Sequence, residues 1–153
     1  MAEPILNLIL RDLADAVAGI SAAADHDETM TAETREEPYN PATDMKAVVY
    51  LDEEADPIIV SVENNGDDQF LQWQQPIVIV VTVVNPEVAD APNPDERIVR
   101  SWSSVVKAVM LDRRRGGYAI DTDLRSPKWG SAGVICRFAI DYIVRADDPT
   151  RQS

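Results

Sequence analysis

The stretch 101–150 decides the fold, because it carries the clearest helix and strand patterns of the chain. Residues 101–115, SWSSVVKAVMLDRRR, place apolar side chains at helical spacing, which predicts an amphipathic helix. Gly116-Gly117 follows, and we expect Gly116 to take the left-handed conformation with φ > 0 that ends a helix. Residues 133–150, GVICRFAIDYIVRADDPT, alternate over most of their length. This alternation predicts a long strand with one face in the core.

The start of this helix is marked as clearly as its end. Asn93 suits an N-cap, Pro94 suits the first helical position, and Asp95 and Glu96 lie where the helix dipole favours negative charge. The predicted core stripe of this helix consists of Ile98, Trp102, Val105 and Val109. The predicted core face of the last strand consists of Val134, Cys136, Phe138, Ile140, Tyr142 and Val144.

Three β-branched runs precede that helix. Residues 46–51 and 57–62 are separated by DEEAD at 52–56, which predicts a hairpin with a polar tip. The acids of this tip could also be considered for calcium or magnesium, but they lack the alternation and the glycine of an EF-hand loop. Residues 76–84 are almost entirely Ile and Val, so we expect a central strand with both faces covered.

The first part of the chain combines a helix with an acidic segment. Apolar residues recur at spacings of three and four from Ile5 to Ile20, which predicts a helix that begins near Pro4 and packs on the sheet. Residues 24–44 contain seven acids, one base and two prolines. Because such a segment buries little apolar surface, we expect a mobile acidic loop.

Length and composition favour one domain over residues 1–153. The net charge is -13, which argues against a protein that grips nucleic-acid phosphates. A single cysteine excludes an internal disulfide, and the N-terminal residues lack the basic region of a signal peptide, so we expect a cytoplasmic protein. The order of elements predicts an α+β fold, a mainly antiparallel β-sheet with two helices packed on one face.

Signals for catalysis or for a cofactor are weak. His26 lies among acidic residues of the predicted loop, and one imidazole does not make a transition-metal site. Cys136 has the phase of a core residue, so we expect a buried small hydrophobe and no nucleophile. No phosphate-binding, dinucleotide-binding or serine-hydrolase motif occurs in the chain. We therefore expect no catalytic residues, no bound cofactor and no metal ligands.

Surface contacts are a better hypothesis for this chain. Arg113, Arg114 and Arg115 form its basic cluster, which suits helix capping and salt bridges to a neighbouring subunit better than DNA contact. Trp73 and Trp129 lie in predicted polar loops, where a large aromatic side chain favours a subunit contact.

The order of features in the last third resembles the tail terminator proteins of long-tailed bacteriophages. The resemblance covers about residues 93–150, and it is loose over the first ninety residues. The chain departs from the family pattern by its three arginines before the glycine pair and by its long acidic segment. The positions that match are Leu111-Asp112, Gly116-Gly117, Tyr118-Ala119, residues 138–142 and Asp148-Pro149.

The resemblance implies a structural virion protein of the tail or neck, assembled in the host cytoplasm. It implies a ring, of six copies in relatives, that binds the last ring of the tail tube protein, stops its polymerisation and presents a surface to the head-side connector. DNA would pass through the ring without sequence-specific binding. It also adds Asp148 to the candidate interface residues. A head-closure or connector protein of the same particle is an alternative, as is a small acidic binding domain of the cytoplasm.

Overall fold

The computed structural model describes residues 2–20, 31–34, 45–83 and 94–152. It has the predicted α+β fold: a mainly antiparallel sheet carries helices α1 (Ile5–Ala18) and α2 (Pro94–Met110) on one face. The strands are β1 (Thr31–Thr34), β2 (Met45–Leu51), β3 (Ile58–Asn65), β4 (Asp68–Val83), β5 (Asp121–Leu124), β6 (Lys128–Trp129) and β7 (Gly133–Arg145).

The two long strands β4 and β7 form the centre of the sheet. They pair antiparallel from Phe70 opposite Arg145 to Thr82 opposite Gly133. On the outer side of β7 lie β5 and β6, and on the outer side of β4 lie β2 and β3. The short strand β1 adds to β2 in parallel.

The core lies between the helices and one face of this sheet. The predicted core face of β7 is confirmed, since its six residues are all buried. The predicted stripes of the helices are confirmed in most positions: Ile5, Ile9, Leu13 and Ile20 of the first, with Ile98, Val105 and Val109 of the second. Ala16 and Trp102 are half-buried instead. The predicted N-cap, Asn93, and most of the predicted acidic loop at 24–44 lie outside the described residues, although 31–34 within it form β1.

The hairpin predicted around residues 52–56 is wrong. β2 and β3 do not pair with each other; each pairs antiparallel with β4, at residues 77–83 and 68–74 respectively. The hairpin turn lies instead at Gly66-Asp67, between Asn65 of β3 and Asp68 of β4, and Gly66 has φ 66°. β2 and β3 are therefore two parts of one long edge, and residues 52–57 form an interruption in it.

This interruption explains the position of Pro76. The sequence places a strand start at Pro76, but β4 begins eight residues earlier, at Asp68. The carbonyl of Pro76 accepts a hydrogen bond from Asp52 N–H at 3.1 Å, at the interruption between β2 and β3. A proline has no N–H to donate, and here its partner strand is interrupted, so the sheet tolerates it.

The second helix ends earlier than the three arginines suggest. α2 stops at Met110, and a turn leads to a single 3₁₀ turn at Arg115–Gly117. Gly116 has φ 67°, which confirms the predicted left-handed glycine, although it follows the helix by several residues. The arginines thus belong to a separate turn between α2 and β5.

Gly116→Val is expected to lower the free energy of unfolding by roughly 1 kcal/mol or more, because a β-branched residue is strained at this φ. Gly19→Ala is the matched control, since Gly19 has φ −76° and an added Cβ there makes only ordinary contacts. Denaturant unfolding of both variants measures the difference. Equal stability of Gly116→Val and the wild type would contradict the left-handed assignment.

Candidate assembly surfaces

The turn after α2 is built around the Asp112 side chain. Its carboxylate accepts N–H bonds from Arg114 at 3.1 Å and from Gly116 at 2.7 Å. The Gly116 bond is the main cause that lowers the pKa of Asp112. Thr122 of β5 donates its hydroxyl to the Arg113 carbonyl at 2.7 Å. These bonds fix the turn against the edge of the sheet, so its side chains have defined directions.

Arg115 points into the protein, unlike a surface cation. Its side chain is 1% exposed, and it donates to the carbonyls of Val109 and Asp112 at the end of α2. Its guanidinium also pairs with Asp12 of α1 at 3.1 Å. Burial lowers the pKa of Arg115, while the two nearby carboxylates act in the opposite direction. Arg115 thus joins the two helices, and its side chain is not on the surface where the predicted subunit contact would need it.

Arg113 and Arg114 remain at the surface. Arg113 donates two hydrogen bonds, both of 2.8 Å, to the carboxylate of Asp121 in β5. This bidentate pair lowers the pKa of Asp121. Arg114 is exposed beside it. The three arginines therefore have three environments: Arg115 is buried, Arg113 is paired within the chain and Arg114 is exposed.

The two tryptophans predicted to lie in loops are both in strands. Trp73 lies within β4, half-buried against the core, so its loop assignment is wrong; its strand begins before Pro76. Trp129 lies in β6 and is 51% exposed. Its ring meets Trp102 of α2 edge to face, with centroids 5.7 Å apart. Trp129 thus covers the edge of the helix layer and presents apolar surface to solvent.

Asp148 forms a tight turn after β7. Its carboxylate accepts bonds from the N–H of Thr150 at 3.1 Å and from the Thr150 hydroxyl at 2.6 Å. The next residue, Pro149, accepts a bond from Ile5 N–H at 3.1 Å. These contacts give Asp148 and Pro149 a role within the chain, where they hold the segment after β7 at the start of α1.

The most unusual surface of the molecule is an arm that the sequence analysis did not single out. Every residue of β3 is exposed, including Ile58, Ile59, Val60 and Val62, which are 43–51% exposed. Side chains alternate along a strand, and a bulge between Ile59 and Ser61 shifts this alternation, so the apolar side chains occupy both faces. The sequence signal for this hairpin was Gly66-Asp67 between two β-rich runs, because a glycine-first pair is typical of a two-residue turn. The acidic segment at 52–56 also has the composition of a turn, so the hairpin was predicted there instead.

The cysteine and the possible metal ligands are the remaining residues with catalytic or metal-binding potential. Cys136 is buried in β7, and burial raises its pKa to about 12, so the thiolate is strongly disfavoured. No group of three or more His, Cys, Asp or Glu side chains is arranged to hold a metal ion within the described ranges. His26 lies outside them. The described helices include none whose length and apolarity would allow it to cross a membrane.

The sequence matches no protein-family model and no curated protein. The resemblance to tail terminators therefore stays a prediction, and the surfaces described above are the physical basis for any functional proposal.

Proposed function

We propose that this chain is a structural virion protein that caps a bacteriophage tail tube as an oligomeric ring of six copies. In this role it binds the terminal ring of the tube protein, stops its polymerisation and offers its other face to the head-side connector. It acts in the tail or neck of the particle, after assembly in the host cytoplasm. It has no catalytic role.

The exposed β3 arm is the observation that carries this proposal. An isolated domain gains nothing by leaving four β-branched side chains in solvent on an edge strand, and such an edge invites pairing with another chain. A subunit whose partner covers the arm would bury this surface on assembly. The arm thus supports a protein that works through contacts with other subunits.

Charge gives a second, weaker support. A net charge of -13 in every copy makes a ring strongly acidic. Like charges repel, so DNA that passes through such a ring would not adhere to its wall. This property suits a passage better than it suits a DNA-binding surface.

Tube polymerisation tests the proposed function. Tube subunits from the same gene cluster are polymerised with and without the protein, and tube lengths and tube ends are examined by electron microscopy. We expect shorter tubes with extra density at one end. A protein of equal size and net charge, added at the same concentration, controls for crowding and for charge.

Tube lengths that ignore the added protein, with bare ends, would contradict the proposed cap. Binding to connector subunits in the same preparation would then favour the head-closure alternative. Binding to neither would favour an acidic binding domain with another partner.

A further inference from the structure

The exposed apolar side chains of the described residues are not scattered. Eleven large ones are exposed, and nine of these fall into two groups. The two others, Val99 and Leu111, lie on or just after α2. The first group consists of Leu51, Ile58, Ile59, Val60 and Val62, and the second of Tyr118, Ile120, Leu124 and Trp129.

The first group lies on what we call the acidic arm, residues 51–68. It comprises the interruption after β2, the strand β3 and the hairpin turn. Among the described residues β3 pairs only with β4, so the backbone groups on its outer side are open to another strand. The arm contains no lysine or arginine. Its seven acids are Asp52, Glu53, Glu54, Asp56, Glu63, Asp67 and Asp68. Two of them pair with arginines of β7, Glu54 with Arg137 at 3.2 Å and Asp68 with Arg145 at 2.7 Å, which offsets part of the arm's charge.

The second group lies on what we call the basic edge, residues 113–129. Its cationic side chains outnumber its acids: four cations are exposed, and the two acids are Asp121 and Asp123. One of these acids is already paired with Arg113. A depression of about 290 Å³ beside Lys128 and Trp129 is lined mainly by apolar groups, including Val81 and Val134. The exposed cations are Arg113, Arg114, Arg125 and Lys128.

These two surfaces lie on opposite edges of one sheet, because β3 borders β4 on one side and β5 and β6 border β7 on the other. Each combines exposed apolar side chains with charge, and the charges have opposite sign. A contact between two acidic arms would oppose like charges, which disfavours association. A contact between an arm and a basic edge covers apolar surface on both sides and pairs opposite charges.

We propose that the acidic arm of one copy docks on the basic edge of a second copy, with the apolar side chains of β3 against the depression beside Trp129. Such a contact is heterologous, so each copy uses both surfaces, and successive copies close into a ring if the rotation between them allows. The proposal rests on the proposed function only in placing this contact in a ring at the end of a tube. The contact itself concerns only this chain.

Reciprocal charge reversal tests the contact. The arm variant carries Glu63→Lys and Asp67→Lys, and the edge variant carries Arg114→Glu and Lys128→Glu; all four positions are exposed. Sedimentation velocity over a range of concentrations, at low salt, measures association. We expect each variant alone to associate at least about tenfold more weakly than the wild type. An equimolar mixture should recover association, because each variant then meets an opposite charge at both surfaces.

The edge variant alone also separates the proposed contact from a symmetric one. The edge variant keeps a native arm, so an arm-to-arm contact would leave its self-association unchanged, and this result would overturn the proposal. Association of the wild type should weaken as salt rises from about 0.05 M to about 0.5 M, since exposed charges are screened. Thermal melts of both variants establish that they remain folded.

Zero-length cross-linking gives a second, independent readout. A carbodiimide joins a lysine amine directly to a carboxylate, and the chain has lysines only at 46, 107 and 128. With mixed ¹⁵N-labelled and unlabelled copies, we expect intermolecular links from Lys128 to acids of the arm. Wild-type protein that stays monomeric throughout and yields no such link overturns the contact. Tube capping is measured separately, so the two proposals fail on different results.

Discussion

Arg115→Met is expected to lower the free energy of unfolding by about 3 kcal/mol. The Arg115 guanidinium is buried and donates to the carbonyls of Val109 and Asp112, at the point where α2 can no longer satisfy them. Methionine fills a similar volume but donates nothing, so the Val109 carbonyl loses its Arg115 partner and the Asp112 carbonyl keeps only the long 3.4 Å bond from the Arg115 N–H. A hydrogen bond to a charged group such as this guanidinium contributes about 1.5–3 kcal/mol. Urea unfolding measures the loss.

Asp12→Asn is the matched control, since it changes the other side of the same ion pair. Burial is the main cause that raises the pKa of Asp12, and it outweighs the opposing effect of Arg115. The ionised form of Asp12 is therefore disfavoured in the folded protein, despite the salt bridge. We expect Asp12→Asn to cost about 1–2 kcal/mol, less than Arg115→Met, because Arg115 keeps its carbonyl partners and the Asp112 carboxylate still acts on the buried guanidinium. Equal losses for the two variants would show that the ion pair matters more than the carbonyl bonds.

Sequence patterns that depend only on neighbouring residues predicted much of the fold. Strict alternation predicted the core face of β7, because side chains in a strand point to opposite faces whatever lies beyond. Gly116 was predictable for a similar reason, since its backbone conformation depends on its own lack of a Cβ. The α+β class followed from the types and order of these elements.

Strand pairing was not predictable from the same patterns. Both 46–51 and 57–62 were recognised as strands, but the short acidic segment between them suggested that they pair with each other. Their actual partner is β4, which follows β3 through the turn at Gly66-Asp67. The choice between partners depends on contacts across the sheet, which alternation within one strand does not encode. The misplaced start of β4 at Pro76 followed from the same error, and it put Trp73 in a loop.

The environments of the candidate interface residues were harder to predict, for a different reason. Three adjacent arginines look equivalent in sequence, yet they have three environments, because the turn after α2 points each in its own direction. Asp148 likewise closes a turn within the subunit. Trp129 is the one aromatic candidate that is largely exposed. The exposure of the arm was not predictable, because β-branched residues in a strand usually indicate a buried face. Only the tertiary structure shows that nothing covers β3 within the described residues.

Replacing the apolar side chains of the arm is expected to abolish both self-association and tube capping while the fold survives. The variant carries Ile58→Thr, Val60→Thr and Val62→Thr, since threonine keeps the β-branched shape that suits a strand. Each of the three is exposed, so each change should alter the free energy of unfolding by about 0.5 kcal/mol or less. Sedimentation velocity and tube lengths measure the two losses, and a thermal melt tests the fold.

Val99→Thr combined with Leu111→Thr is the matched control, because these residues are also exposed and apolar but lie on or just after α2. If general stickiness causes association, the control should weaken it as much as the arm variant does. If the arm makes a specific contact, only the arm variant should fail, because loss of the buried apolar area removes the main attraction of the interface. An arm variant that still caps tubes at wild-type concentrations would place the contact elsewhere, and the basic edge would then need another partner.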